Sequence, residues 1–332
     1  MTTSSTAAPA RTDSAAELGI VVRPLREDDL AEADRVFRLA FGTILGLPEP
    51  TRFAEGSDLV RSRFLADPTA AFAAEVEGEL VGSAFAARWG NFATFGPLTV
   101  RPDFWDRGVG RRLWEARLPL VFERWQSAYT GLFTFAEGAK HIHLYRKFGF
   151  WPRFLTALTA KPVAPGTRRA ADWSTYSELP EADRERCLEE CHALTDTIYP
   201  GLDVEREIRV VAGQGIGETV LLHDAAGLAG FAVCHAGRGS EAGAGSCYVK
   251  FGAARPGARA GERFERLLDA CEDFAATRGS ERLDAGVNLA RQDACLILGK
   301  HGYRTWRHGV AMHRPNEPGH NRPDVYVIDD WR

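Results

Sequence analysis

The most constraining feature of this sequence is an internal repetition at a spacing close to 154 residues. Arg101-Pro102 recurs as Arg255-Pro256, an offset of 154 (255 − 101). Gly149-Phe150 recurs as Gly302-Tyr303, an offset of 153 (302 − 149). Repetition at a fixed spacing indicates that one folded unit occurs twice. We therefore predict an α/β (α+β) chain of two tandem domains, each a mixed sheet with flanking helices.

Hydrophobic periodicity and turn residues give approximate element and domain boundaries. In the first copy we predict strands near 20–24, 70–77, 80–88, 94–100, 130–136 and 150–160, and helices near 28–41, 57–66, 109–126 and 139–148. In the second copy we predict strands near 208–213, 218–223, 228–236, 246–252, 282–288 and 303–313, and helices near 180–195, 259–278 and 290–300. The predicted units are a disordered arm (1–18), a first domain (19–161), a linker (162–173), a second domain (174–314) and a tail (315–332). Residues 324–328 of the tail have strand character and are expected to add an edge strand or to cover the substrate cleft.

A glycine-containing turn, residues 98–113 with the sequence LTVRPDFWDRGVGRRL, joins a predicted strand to a predicted helix. Gly108 and Gly110 let the backbone approach an anion closely. The helix that follows presents unpaired N–H groups and the positive end of its dipole, and Arg107, Arg111 and Arg112 add positive charge. The segment is therefore a candidate pyrophosphate site, with an ordinary strand-to-helix turn as the alternative.

A second segment downstream, residues 141–150 with the sequence HIHLYRKFGF, adds a motif to this turn. The turn Trp105-Asp106-Arg107-Gly108-Val109-Gly110, together with Leu144-Tyr145-Arg146-Lys147-Phe148-Gly149-Phe150, resembles the motifs of the GNAT superfamily of N-acetyltransferases. Residues 21–41 also look like that family's first strand and helix. One departure is that Trp105 stands where the family usually has Gln or Arg, so we expect altered rather than lost cofactor binding.

The resemblance implies a twisted, mostly antiparallel sheet and direct acetyl transfer, within a ternary complex, from acetyl-CoA to a primary amine of a small molecule or protein. In this family the pantetheine arm pairs with the fourth strand, which corresponds to Leu98, Thr99 and Val100, and an N–H of Leu98 or Thr99 would stabilise the oxyanion. Tyr145 would protonate the departing thiolate. The residues expected to contact the pyrophosphate are Trp105, Asp106, Arg107, Gly108, Val109, Gly110, Arg111 and Arg112.

The sequence gives weaker evidence for the general base and for the acceptor site. Glu137 is the first candidate for the base because it follows the predicted fifth strand at the mouth of the cleft; the alternative is a solvated residue that caps the next helix. At most one of His141 and His143 can face the substrate. Residues 41–56 lie where the family builds its acceptor lid, and the candidate lining residues, which could equally be ordinary helix packing, are Phe41, Leu45, Leu47, Glu49 and Phe53.

The second copy is expected to be degenerate. At the 154-residue offset Glu262 replaces Gly108 and Phe264 replaces Gly110, which would put a carboxylate and a bulky ring in the phosphate position. Leu298 replaces Tyr145 at the 153-residue offset. Gly257 and Gly261 leave open a shifted register in which the turn survives. We expect this copy to be structural or to shape the acceptor site.

Composition limits the remaining possibilities. The chain is 45% hydrophobic and 26% charged, with a net charge of −4, which argues against a nucleic-acid platform. We predict a cytoplasmic protein, a monomer or homodimer, without a membrane span, a signal peptide or a metal; Cys187, Cys191 and His192 are the one remote candidate for a metal site. The rival to an enzyme is a non-catalytic acyl-CoA-binding regulatory or scaffold protein.

Overall fold

This computed structural model describes residues 19–164, 166 and 173–332 of the chain. The predicted arm (1–18) and most of the predicted linker lie outside these residues. In the described part of the first copy the strands are β1 (Val21–Pro24), β2 (Ala71–Val76), β3 (Glu79–Trp89), β4 (Phe92–Val100), β5 (Tyr129–Phe135) and β6 (Trp151–Pro162). The helices are α1 (Leu30–Ile44), α2 (Leu59–Ala66), α3 (Val109–Leu118) and α4 (Ala139–Arg146).

The second copy repeats this order of elements within the described residues. Its strands are β7 (Trp173–Thr175), β8 (Gly217–Asp224), β9 (Gly227–Gly237), β10 (Gly243–Ala254), β11 (Arg282–Asn288), β12 (Arg304–Arg314) and β13 (Val327–Ile328). Its helices are α5 (Glu181–Ile198), α6 (Glu205–Gln214), α7 (Ala260–Thr277) and α8 (Gln292–Lys300).

All described strands belong to one sheet, in which the two copies exchange their closing strands. The order is β1-β2-β3-β4-β5-β12-β6-β11-β10-β9-β8-β7, and β13 pairs with β10. Thus β12, from the second copy, pairs with β5 of the first. In turn β6, from the first copy, pairs with β11 of the second. The sequence predicts two similar units but gives no signal for this exchange.

Each copy contains one parallel strand pair that separates after a few residues. β4 and β5 pair from Phe92 with Tyr129 to Phe95 with Leu132. β10 and β11 pair from Ser246 with Arg282 to Val249 with Ala285. Phe95 and Val249 are 154 residues apart (249 − 95), so the two clefts that open beyond these pairs occupy equivalent positions.

Apolar faces hold helices against both sides of the sheet. In α1 the residues Leu30, Ala33, Val36, Phe37 and Ala40 are buried at the spacing of one helical face. α3 and α4 pack on the other side of the first copy around Trp114 and Phe150. A third cluster combines Phe92 and Tyr129 of the first copy with residues of α5 and α6, so the copies share a core.

Two predicted elements are wrong. Residues 208–213, predicted as a strand, lie in α6, where the buried Ile208 and Val211 are three residues apart as on one helical face. The helix predicted over 109–126 ends as a regular α-helix at Leu118 and continues as a π-helical turn from Pro119 to Arg124. Pro119 has no N–H to donate to the preceding turn, which accounts for the break.

Candidate functional site

The glycine-containing turn opens directly into α3. Gly108 precedes the helix with φ = 86°, a left-handed conformation that favours glycine. A Cβ on Gly110 would lie 3.6 Å from the Leu98 side chain and 3.7 Å from that of Val100, so the first turn of α3 packs close to β4. The first N–H groups of the helix therefore lie beside the strand end, which is the arrangement an anion site needs.

Side chains tie this turn to its neighbours. The indole N–H of Trp105 donates to the carbonyl of Val100 at 2.7 Å. Asp106 accepts from Lys140, at the start of α4, at 2.6 Å. Arg107 lies 5.5 Å from the centre of the Phe104 ring. Trp105 thus donates to the carbonyl at the end of β4, from the position where the family motif has Gln or Arg.

Positive charge surrounds the turn unevenly. Arg111 pairs with Glu115 at 2.9 Å, one helical turn later. The Arg112 side chain is exposed next to Arg111, and the main-chain N–H of Arg112 donates to the carbonyl of Gly108 at 3.1 Å. Val109 is buried beneath the helix start. The side-chain charges therefore border the turn, while its main-chain N–H groups form the centre.

The cleft next to this turn lies between β4 and β5. On one edge, Leu98, Thr99 and Val100 pair with β3. On the other edge, the described part of β5 pairs with β4 only as far as Phe95. Because successive N–H groups of a strand point to opposite edges, only one of Leu98 and Thr99 can donate into the cleft. This open edge fits an extended arm that pairs with main-chain groups.

Tyr145 lies on α4 in the wall beneath the cleft and is 8% exposed. Its ring centre is 4.8 Å from that of Trp114, which in turn is 4.8 Å from that of Phe95 on β4. Burial raises the pKa of the Tyr145 phenol, and the positive charge of Arg117 opposes that rise. The phenol is therefore protonated at neutral pH, as a proton donor must be.

Arg117 is a functional candidate that the sequence analysis missed. Its side chain is fully buried, and its guanidinium donates to the carbonyl of Phe85 at 2.8 Å. It lies 4.7 Å from the Trp114 ring, the ring that also contacts Tyr145. Among the described residues no carboxylate pairs with it, and burial lowers its pKa to about 9. A cation buried beside Tyr145 would stabilise negative charge that develops there.

Glu137 lies where the sequence predicted, just after β5. Its carboxylate is 63% exposed and pairs at 2.8 Å with Arg307, which β12 of the second copy supplies. His143 is exposed, whereas His141 is partly buried and its ring centre lies 6.5 Å from that of Tyr145. Burial, with a smaller effect of Lys140, lowers the pKa of His141. Of the two histidines, His141 is therefore the one near the catalytic candidate.

Only some of the residues predicted to line the acceptor lid contact one another. Phe41 stacks on Phe53 at 5.5 Å and meets Phe135, near the end of β5, edge-on at 6.1 Å. Leu45 is partly buried and Leu47 is exposed. Glu49 is 70% exposed, within 3.8 Å of Arg52, so it faces solvent rather than this aromatic group. The structure brings Phe41 and Phe53 to the cleft and leaves Glu49 outside.

A buried ion cluster, formed by Arg63, Glu207, Glu241 and Lys250, lies between the copies beside the cleft. Arg63 donates to the carbonyl of Gly96 at 2.7 Å, where β4 and β5 begin to separate, and pairs with Glu241 at 3.0 Å. Lys250 bridges Glu241 at 2.8 Å and Glu207 at 3.0 Å. Although burial raises the pKa of Glu241, Arg63 and Lys250 hold it well below its usual range. Arg63 and Glu241 are 178 positions apart, so no local pattern points to this pair.

The structure of the second copy shows that one prediction, the replacement of the two turn glycines, is wrong. Glu262 and Phe264 do not replace Gly108 and Gly110, because they lie inside α7, with Phe264 fully buried in the core. Five residues (255–259) separate β10 from α7, whereas eight (101–108) separate β4 from α3. The shortened turn means that Gly261, not Phe264, lies in the first turn of the helix. Leu298 is buried in α8, at the seventh position of the helix as Tyr145 is in α4.

The cysteine candidates face the core. Cys187 and Cys191 are buried, whereas the neighbouring His192 is exposed. Among the described residues, no group of three His, Cys, Asp or Glu side chains is arranged to hold a metal ion. Within the same residues, no helix is long and apolar enough to cross a membrane.

Comparison with known proteins identifies the fold. Residues 39–150 match the sequence model of the Acetyltransferase (GNAT) family. A protein assigned as an acetyltransferase from Pyrococcus horikoshii superposes with a TM-score of 0.67 at 16% identity, covering 94% of this chain and 95% of its own. A GCN5-related N-acetyltransferase from Sphaerobacter thermophilus gives 0.58 at 16% identity, covering 90% and 96%. A tandem GNAT protein of the clavulanic acid biosynthesis pathway gives 0.54 at 13% identity, covering 89% and 98%. No curated protein sequence matches this chain significantly.

Proposed function

Because this chain carries a GNAT-family acetyltransferase domain within a tandem GNAT fold, we propose that it is an N-acyltransferase whose active site lies in the first copy. The proposed donor is acetyl-CoA and the proposed acceptor is a primary amine. The observation that carries the proposal is the combination of three features in the first copy. It consists of the left-handed Gly108 at the start of α3, the edge of β4 that β5 leaves unpaired beyond Phe95, and the buried Tyr145, whose ring is linked to Phe95 through Trp114.

These three features offer groups for the pyrophosphate, the pantetheine amides and the leaving sulfur of acyl-CoA. The main-chain N–H groups after Gly108, bordered by Arg107 and Arg112, would hold the pyrophosphate. The open edge at Leu98, Thr99 and Val100 would pair with the pantetheine amides. When bound, acyl-CoA supplies a thioester carbonyl, and one N–H of Leu98 or Thr99 would stabilise the oxyanion that forms on amine attack.

Proton movements would follow the positions of the side chains. As the new C–N bond forms and the C–S bond breaks, Tyr145 would give its proton to the sulfur and regain one from the nitrogen of the new amide. The buried Arg117, which lies against the same Trp114 ring as Tyr145, would favour the transient phenolate. Glu137, the candidate base, would accept the ammonium proton, directly or through water, from the mouth of the cleft. The Arg307 contact keeps Glu137 at that mouth.

A CoA-release assay against a panel of amines, combined with acetyl-CoA binding measurements, tests the proposal. We expect wild-type turnover with at least one amine, and a Tyr145→Phe variant that binds acetyl-CoA but turns over about 10²-fold more slowly. Tyr303→Phe is the matched control, because Tyr303 is also buried (3% exposed) and its hydroxyl has no partner among the described residues. If acetyl-CoA binds, no amine reacts and Tyr145→Phe changes nothing, the non-catalytic alternative replaces the enzyme.

A further inference from the structure

The last eight residues of the sequence, 325–332, run inside the sheet rather than along its edge. Val327 and Ile328 form β13 and pair antiparallel with Ala253 and Gly252 of β10. The carbonyl of Tyr326 accepts from the N–H of Ala254 at 3.0 Å. Val325 and residues 327–331 are buried. The segment is therefore a built part of the fold.

This segment lies in the cleft of the second copy. β10 and β11 separate beyond Val249 and Ala285, and β13 takes the freed edge of β10. At the 154-residue offset, Gly252 and Ala253 correspond to Leu98 and Thr99 (252 − 98, 253 − 99). These are the positions on β4 where the proposed function puts pantetheine. In the second copy a peptide backbone makes the corresponding main-chain pairing.

Tyr326 extends the correspondence to the helix start. Its hydroxyl would lie 3.4 Å from a Cβ on Gly261, in the first turn of α7. Its ring centre is 5.7 Å from that of Phe264. Nearby, the Asp224 carboxylate forms ion pairs with Arg255 at 2.7 Å and with Arg263 at 3.0 Å. A side chain of the protein therefore already neutralises these two arginines. The phenol therefore stands at the end of α7 that corresponds to the pyrophosphate end of α3.

The other end of the segment is held by buried polar contacts. Asp329 pairs with Arg291 at 2.5 Å and with His320 at 2.8 Å, and Arg291 also donates to the Val327 carbonyl at 2.8 Å. Asp330 accepts from the Tyr248 hydroxyl at 2.8 Å. It also fills space that Gly286 leaves on β11, since a Cβ at Gly286 would overlap the Asp330 carboxyl. Gly286 corresponds to Phe133 in the first copy. Because glycine has no side chain, this position of β11 leaves room for the segment.

We propose that residues 325–330 are an internal ligand that occupies the cofactor channel of the second copy, so that the chain binds a single acyl-CoA. The occupant is the chain's own strand, which replaces pantetheine by main-chain pairing and the pyrophosphate by the Tyr326 phenol. This inference rests on the proposed function for the identity of the channel. Two features thus keep acyl-CoA out of the second copy: the segment occupies the channel, and the turn before α7 is shortened.

Two measurements on the full chain test this inference. Equilibrium binding of acetyl-CoA should give one equivalent for the wild type and none for Gly108→Glu, which blocks the first turn. Gly215→Glu, at another left-handed glycine with open space around it, should still bind one equivalent. Hydrogen exchange without ligand should leave the amides of 327–330 protected at least 10²-fold more than those of the exposed Asn316 and Asp324.

The outcomes separate the two proposals. Two equivalents for the wild type, falling to one in Gly108→Glu, would show an open second channel and overturn the inference while leaving the proposed function in place. Rapid exchange at 327–330 would also overturn it. If no acetyl-CoA binds but 327–330 are protected, the proposed function fails, while occupation of the cleft by this segment stands.

Discussion

Arg63 and Glu241 form a buried ion pair at 3.0 Å that joins α2 of the first copy to β9-β10 of the second. Both side chains are less than 10% exposed, and the Arg63 guanidinium also reaches the carbonyl of Gly96 at the base of the first cleft. Arg63 additionally donates to the main-chain carbonyl of Arg332. The geometry of the proposed active site therefore depends on residues of the second copy.

Replacing Arg63 with Met should destabilise the protein strongly. The change leaves the buried Glu241 carboxylate with Lys250 as its remaining cation, and breaking a buried pair on one side typically costs about 3–5 kcal/mol. Urea unfolding would measure the loss. The double variant Arg63→Met/Glu241→Leu should recover part of it, and a double variant less stable than Arg63→Met would contradict this account.

Replacing Gly108 with Ala should weaken acetyl-CoA binding. The left-handed φ of 86° is strained for alanine, at a cost of about 1 kcal/mol, and the turn would shift its N–H groups away from the pyrophosphate position. Gly215→Ala provides the control, because Gly215 follows α6 of the second copy with φ = 66° and has open space around it. Calorimetry should show similar stability losses for both variants and weaker binding only for Gly108→Ala.

Arg117→Met should change stability and activity in opposite directions. The folded state holds this cation without a carboxylate, so an apolar side chain of similar length should stabilise the protein by about 2 kcal/mol, even after loss of the bond to the Phe85 carbonyl. Turnover should fall about tenfold because the Tyr145 phenolate loses the buried cation that acts on it. Thermal unfolding and single-turnover kinetics would measure the two effects, and an unchanged rate would remove Arg117 from the mechanism.

Glu137→Gln should lower kcat/KM by about 10²-fold if this carboxylate accepts the ammonium proton. Arg307→Gln removes its ion-pair partner but leaves the carboxylate, so that variant should lose much less activity. The rate of the Glu137 variant should recover at high pH, where the free amine is abundant. Equal activity of wild type and Glu137→Gln at every pH would assign deprotonation to another group.

Acid should destabilise the protein through His313. Burial lowers the pKa of this histidine to about 4, and its ring contacts the Glu317 carbonyl. The unfolded side chain titrates near 6.5, so the associated stability, about 3 kcal/mol, is complete above pH 6.5 and is lost as the pH falls towards 4. His313→Gln should flatten that part of the pH–stability curve, leaving the similar contribution of His235, whereas the exposed His143→Gln should not.

Local patterns predicted the elements well and long-range pairings poorly. The turn at Gly108 and the helix end at Tyr145 are short motifs, and α3 and α4 start where the sequence indicated. The exchange of β6 and β12, the Arg63–Glu241 pair and the path of 325–330 each join residues more than 70 positions apart. The second turn was misplaced because a constant offset of 154 ignores a deletion of three residues (8 − 5), which moves Glu262 and Phe264 into α7.

The exchange of closing strands also has a consequence for synthesis on the ribosome. When residues 129–135 emerge, the neighbour that will cover their free edge, residues 304–314, is still about 170 residues away, which is at least 8 s at ordinary translation rates. The nascent first copy therefore displays an unpaired strand edge during that interval. Such edges are templates for pairing with other chains, so the nascent chain is open to edge-to-edge association during that interval.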